Sequence, residues 1–193
     1  MNVSRRALLL LIALAAGPAV AETDPLAGRF GGPFTLSASN GRRIADTDFR
    51  GKFMLVYFGY THCPDLCPED LAITAAALAL LGAEAGRIQP LFVTVDPARD
   101  TPAVMADYAE SIDPRLIGLS GTEAEIAAVA KAYKVHRRKL PPPEAAKDQT
   151  NYIVDHSSLT YLMGPDGAFR TLIPHGIDAA KMAGILKKYL AET

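Results

Sequence analysis

Thiols are scarce in this chain: its 193 residues include only two cysteines, Cys63 and Cys67. A bridge between residues four apart closes so small a loop that it removes little entropy from the unfolded chain, so structural stapling explains the pair badly. An excess of one charge is lacking too. Against 21 Asp and Glu stand 20 Lys and Arg, which leaves no electrostatic case for nucleic acid or an anionic membrane as partner. The N-terminal apolar run, Ala7 to Ala16, falls short of the roughly 20 residues that span a bilayer. Also missing are a phosphate-cradling glycine loop, a serine nucleophile elbow and a zinc-protease helix motif. No internal repeat or low-complexity tract is visible.

The N-terminus reads as an address. Arg5-Arg6, the apolar run and Ala19-Val20-Ala21 match the charged region, core and small-residue cleavage site of an export signal over residues 1–21, with an uncleaved tether as the alternative. Ser4-Arg5-Arg6 is a weak match to a twin-arginine signal. With no cysteine near the expected cleavage site, a lipid-anchored N-terminus is not expected. Cleavage removes Arg5 and Arg6 and leaves 18 basic against 21 acidic residues. Residues 22–33 then read as a linker and 34–193 as one domain of ordinary length. Such a signal implies a periplasmic or otherwise exported chain. Its membrane contact would come only through an uncleaved segment or a membrane-bound partner.

Periodicity is mixed along the domain. Phe34-Thr35-Leu36 and Arg43-Ile44 flank Asn40-Gly41, a short hairpin signal. Phe53 to Tyr60 and Ile88 to Val95 are near-continuous hydrophobic runs, as expected of strands buried on both faces. A helix is expected from Pro68 to Leu81, with Pro68 at its first position and Cys67 at or next to the N-cap. A second follows Thr101-Pro102, and a third runs from Glu123 to Tyr133. A short strand is expected at Leu116 to Leu119. Lys139 to Asn151, with Pro141-Pro142-Pro143, reads as a long surface loop. A hairpin over Ser158 to Ile173 and a helix from Asp178 to Leu190 close the chain. Alternating strands and helices followed by a terminal hairpin and helix give an α/β sandwich. A cysteine pair entering the first long helix after a buried strand is the thioredoxin arrangement in outline.

Two thiols on one turn can close to a disulfide or, as thiolates, hold a soft cation such as Cu(I). Residues four apart in a helix carry Cβ atoms about 5–6 Å apart, wider than the roughly 3.5–4.5 Å of a disulfide. A bridging metal tolerates that gap. Each cysteine precedes a proline, however, which biases it away from helical geometry onto a bent loop, and both states stay open. At a helix N-terminus the unpaired amides and dipole favour the thiolate of Cys67, opposed by Glu69 and Asp70.

Tyr60-Thr61-His62-Cys63-Pro64-Asp65-Leu66-Cys67-Pro68, Val95 to Pro102, and Asp155-His156-Ser157-Ser158-Leu159-Thr160-Tyr161-Leu162, in this order, resemble the SCO/SenC family. The resemblance covers about Phe34 to Leu190. It implies a thioredoxin-like fold, a central mixed sheet flanked by helices, with an N-terminal hairpin extension. It further implies a metallochaperone that carries one copper ion, Cu(I) or Cu(II), to the binuclear copper site of cytochrome c oxidase during assembly. By position, Cys63, Cys67 and His156 match the family's copper ligands, and Lys139 to Asn151 resembles its mobile loop. The implied partners are the copper-bearing oxidase subunit and other copper chaperones.

Thiolates suit Cu(I) and imidazole holds both oxidation states, so a two-sulfur, one-nitrogen set can keep copper in either. Asp155 is a candidate to orient His156 by accepting its second ring N–H, with an ordinary turn carboxylate as the equal alternative. His62 reads as an outer-shell or solvated side chain, since neighbours in extended chain point to opposite sides. His136 reads as surface and His175 as turn; Met54 and Met163 read as core. Asp96, Arg99 and Asp100 read as turn and cap chemistry, with a partner-facing charged loop as the alternative. The competing function is an exported thiol-disulfide oxidoreductase or redox-signalling protein using Cys63 and Cys67 as its redox pair. A peroxidase-like activity ranks last, supported by nothing beyond the pair.

Overall fold

A computed structural model of the protein describes residues 26, 28–38, 41–142, 148 and 151–192. The export segment, part of the linker, Asn40 of the hairpin turn and most of the proline-rich stretch therefore lie outside the described residues.

Strands β3 (Phe53–Gly59) and β4 (Ile88–Thr94) form the centre because almost every side chain they carry is apolar, so both faces can be covered. All seven residues of β3 are buried. The central sheet has the order β5-β4-β3-β8-β9, with β5 (Ile117–Leu119), β8 (Leu159–Met163) and β9 (Phe169–Pro174). β3, β4 and β5 are parallel, whereas β8 runs antiparallel to β3, and β9 to β8. Period-two alternation divides the core. Phe53 and Leu55 face α1 (Leu66–Leu81) and α4 (Ala179–Ala191), among Leu78, Leu162 and Leu186. On the other face, Met54, Val56 and Phe58 join Ile126, Val129 and Tyr133 of α3 (Glu123–Ala132) and its C-cap. The hairpin of β1 (Thr35–Ser37) and β2 (Arg43–Ala45) extends this N-terminally. α2 (Pro102–Ile112) begins where its sequence signals put it, with Thr101 as a true N-cap and Pro102 in the first turn. The architecture is thioredoxin-like, as expected.

Two boundaries differ from expectation. Lys139 and Leu140 belong to β6 (Arg137–Leu140), which pairs antiparallel with β7 (Ile153–His156) in a separate two-stranded ribbon. Backbone pairing and cross-strand ion pairs such as Arg138–Asp155 hold regular structure up to the first proline. The first helix starts at Leu66, so Cys67 lies inside its first turn and not at the cap. Proline is tolerated at Pro68 because first-turn amides have no intrahelical partner to lose.

One buried carboxylate ties the strand ends to the cysteine loop. Asp100 accepts from the Thr61 backbone N–H at 3.1 Å, the Thr61 hydroxyl at 2.6 Å and the Thr94 hydroxyl at 2.7 Å. Asp100→Ala leaves these donors unmatched, and denaturant unfolding should show a stability loss of about 3 kcal/mol. A loss below about 1 kcal/mol would mean that the loop is held by other contacts.

Candidate metal centre

The cysteine loop starts where β3 ends, and its geometry follows from that strand's alternation. Tyr57 and Gly59 continue the face turned toward α1. A Cβ on Gly59 would stand 2.7 Å from the Cys67 sulfur, 2.9 Å from Phe92 and 3.0 Å from Tyr57. Glycine at the strand end thus lets the sulfur of the first helical turn sit directly against β3. A glycine inside a strand pattern marks such close approach, a signal in the sequence that went unread. Cys67 is fully buried and Cys63 partly exposed, both as free thiols.

No side chain caps the N-terminus of α1 in the usual way, since Asp65 makes no capping hydrogen bond. Instead the Cys67 backbone N–H donates to the Cys63 sulfur at 3.4 Å. Cys63 therefore takes the place of the capping acceptor at the positive end of the helix dipole. Hydrogen bonds from the Cys67 thiol and from the amides of Asp65 and Cys67 hold the Cys63 thiol well below the ordinary range, against opposition from burial. Cys67 moves the opposite way: it gives its proton to the Cys63 hydrogen bond and loses solvation. The thiolate falls on the outer cysteine, the reverse of the expectation that placed it on Cys67. The helix begins earlier than the prolines suggested, which hands the capping position to Cys63.

His156 ends β7 and reaches the pair across 89 residues of chain: its Nε2 lies 3.5 Å from the Cys67 sulfur. Its Nδ1 lies 3.1 Å from the Ser157 carbonyl. A carbonyl only accepts, so it assigns the proton of a neutral ring to Nδ1 and leaves the Nε2 lone pair toward the sulfurs. Tyr60 stands edge-on to the ring at 5.8 Å. The Nε2 and the two sulfurs all lie within 4.8 Å of one another. Bonds of about 2.3 Å to sulfur and about 2.0 Å to imidazole fit a single ion among atoms so placed.

The remaining candidates separate cleanly. Asp155 does not orient His156. It stands on the opposite face of β7 and accepts from His136 at 3.3 Å and Arg138 at 3.4 Å, and the Ser157 carbonyl does the orienting. His62 is exposed, turned to the Thr61 hydroxyl at 3.1 Å and Asp100 at 3.9 Å, away from the sulfurs. Met54 and Met163 are core residues. His175 does sit in a turn, but it also pairs at 2.8 Å with Asp70, a buried carboxylate of α1 that keeps the imidazole more basic than usual. Sequence reading missed this pair and also Tyr57, whose buried hydroxyl lies beside Cys67 and Asp70 without a hydrogen-bond partner among the described residues.

The SCO1/SenC family model matches residues 22–191. The mouse mitochondrial protein SCO1 homolog is 40% identical over 162 residues, 83% of this chain and 56% of its own length. The bovine mitochondrial SCO2 homolog is 43% identical over 162 residues, 83% of this chain and 59% of its own. The chain thus spans a little over half the length of these relatives. Arabidopsis thaliana ScoI, crystallised with copper bound, is 35% identical with a TM-score of 0.78, covering 85% of this chain and 99% of that one. Copper-bound ScoI from Bradyrhizobium japonicum is 42% identical with a TM-score of 0.74, covering 83% and 99%.

With its folded-state pKa depressed, Cys63 stays a thiolate as pH falls. Iodoacetamide should alkylate Cys63 of the reduced chain at a steady rate from about pH 8 to about pH 6, whereas an ordinary thiol slows by roughly two orders of magnitude. Peptide mapping should find Cys67 protected; a steep fall at Cys63 would contradict the capping account.

Proposed function

The chain belongs to the SCO1/SenC family, and we propose that it is an exported copper metallochaperone whose ligands are Cys63, Cys67 and His156, serving the binuclear copper site of cytochrome c oxidase. The observation that carries this reading is the convergence of two sulfurs and one imidazole nitrogen from distant parts of the chain. Copper-bound relatives at 35% and 42% identity support the choice of ion, as does the softness of the donors. Residues 1–21 act as the export signal or tether, which places the site in an extracytoplasmic compartment.

Copper is cargo here, and the residues divide the work of holding and releasing it. Cys63, partly exposed and already a thiolate, offers itself to the incoming ion and to the acceptor's ligands. Cys67, buried against β3, gives up its proton on loading. His156 completes the set from a separate ribbon, so it can leave without disturbing α1. Handover is ligand exchange: each bond to copper breaks as an acceptor thiolate or imidazole forms its own, with no net electron transfer.

The polarised thiol pair also favours a second role, reduction of the acceptor's cysteines. The Cys63 thiolate attacks an acceptor disulfide and forms a mixed disulfide as the acceptor's first sulfur leaves. Cys67 then displaces the second, closing Cys63–Cys67 while the acceptor gains two electrons and two protons, one of them from solvent. The two roles are sequential, since acceptor cysteines must be reduced before they take metal.

Anaerobic titration of the reduced chain is expected to saturate at one copper per chain, with sulfur-to-metal charge-transfer bands. His156→Ala should weaken Cu(II) binding by at least the roughly 10–100-fold that outer-shell partners of metal ligands carry, while the thiols remain reducible. Unchanged copper affinity in that variant would leave only the thiol exchange role.

A further inference from the structure

His156 rides on a ribbon that shares no backbone ladder with the central sheet, so something else must hold it over the sulfurs. Along β7 the side chains alternate, and Tyr152, Val154 and His156 share the face turned to the body of the protein, while Ile153 is exposed on the other. Tyr152 makes the most specific of these contacts. Its hydroxyl donates to Asp96 at 2.7 Å, and the Arg99 guanidinium lies over its ring at 3.7 Å from the centroid. Arg99 in turn binds Asp96 at 2.5 Å and reaches the ring of Tyr60, 5.6 Å away, which itself stands edge-on to His156. Lys139, from the partner strand of the ribbon, closes the cluster at 4.8 Å from the Tyr152 ring and 3.4 Å from Asp96.

The arrangement has features of a clasp. Asp96 is fully buried and belongs to the loop after β4, on the side of the central sheet. The Arg99 Nη2 is buried and has no hydrogen-bond partner among the described residues; the aromatic faces on either side supply its compensation as cation–π contacts. One side chain from the ribbon therefore satisfies a buried carboxylate and a buried cation together. Lifting Tyr152 would expose both groups to water, which can take over its contacts to the carboxylate and the guanidinium. A further tie, Arg137 to the Val95 carbonyl at 3.1 Å and to Glu123 at 2.6 Å, holds β6 and lies opposite His156 in the ribbon register.

We propose that Tyr152, clamped between Arg99 and Asp96, is a positioning residue that keeps His156 over the cysteine pair and thereby sets how long Cu(II) is retained. This rests on the assignment of His156 as a ligand. It predicts a selective effect: copper(II), which needs the imidazole, feels the clasp, whereas copper(I), held by the two thiolates, does not.

The test is Cu(II) release from the full chain to an excess of chelator, followed by decay of the charge-transfer band, in the parent and in Tyr152→Phe, Tyr152→Ala and His156→Ala. Tyr152→Ala should release Cu(II) about tenfold faster than the parent, as expected for a lost outer-shell support. Tyr152→Phe, which keeps the stack and loses the hydroxyl, should fall between them. Cu(I) affinity should stay at the parental value in both Tyr152 variants, which a general loss of folding would not allow. Fast release from His156→Ala with parental release from both Tyr152 variants would overturn the clasp alone. Parental release from His156→Ala would overturn the ligand assignment and the clasp with it.

Discussion

The contact on which the rest depends is the 3.5 Å approach of the His156 Nε2 to the Cys67 sulfur. It joins the first turn of the first helix to a ribbon near the end of the chain, and each side is prepared for it separately. On the helix side, Gly59 removes the Cβ that would displace the sulfur, and Asp100 fixes the loop through Thr61. On the ribbon side, strand alternation turns the imidazole inward, and the Ser157 carbonyl sets its tautomer.

The two sulfurs are not equivalent, and the asymmetry follows from helix capping. Cys63 stands where a serine or aspartate would ordinarily accept a first-turn amide, so its negative charge has a structural partner before any metal arrives. Cys67 is held in the dry interior and keeps its proton until a metal or a disulfide replaces it. This division suits a carrier. One ligand meets the exterior, one anchors the ion, and the third sits on an element whose attachment is made of side chains.

Much of this was legible in the sequence because the signals are local. Buried strands announce themselves as unbroken apolar runs, and Thr101-Pro102 and Asp178 mark helix starts by capping chemistry. The pair Cys63 and Cys67 was visible by spacing, and His156 only through family blocks, because contact across 89 residues is set by packing. Tertiary context decided the remainder. Adjacent strand residues face apart, so Asp155 turns to His136 and Arg138 and away from His156, as the same rule turns His62 from Cys63. Pro68 signals a helix start that would put Cys67 at the cap, whereas the start at Leu66 gives the capping role to Cys63. Asp96 and Arg99 read as turn and cap residues, and no local signal singles out Tyr152, which only the fold stacks against them.

The most direct measurement of the central claim is X-ray absorption of the chain loaded with one equivalent of Cu(II). The account predicts a first shell of two sulfurs at about 2.3 Å and one nitrogen at about 2.0 Å, with the nitrogen lost in His156→Ala. A shell of sulfur alone that the substitution leaves unaltered, or one of nitrogen and oxygen only, would contradict it.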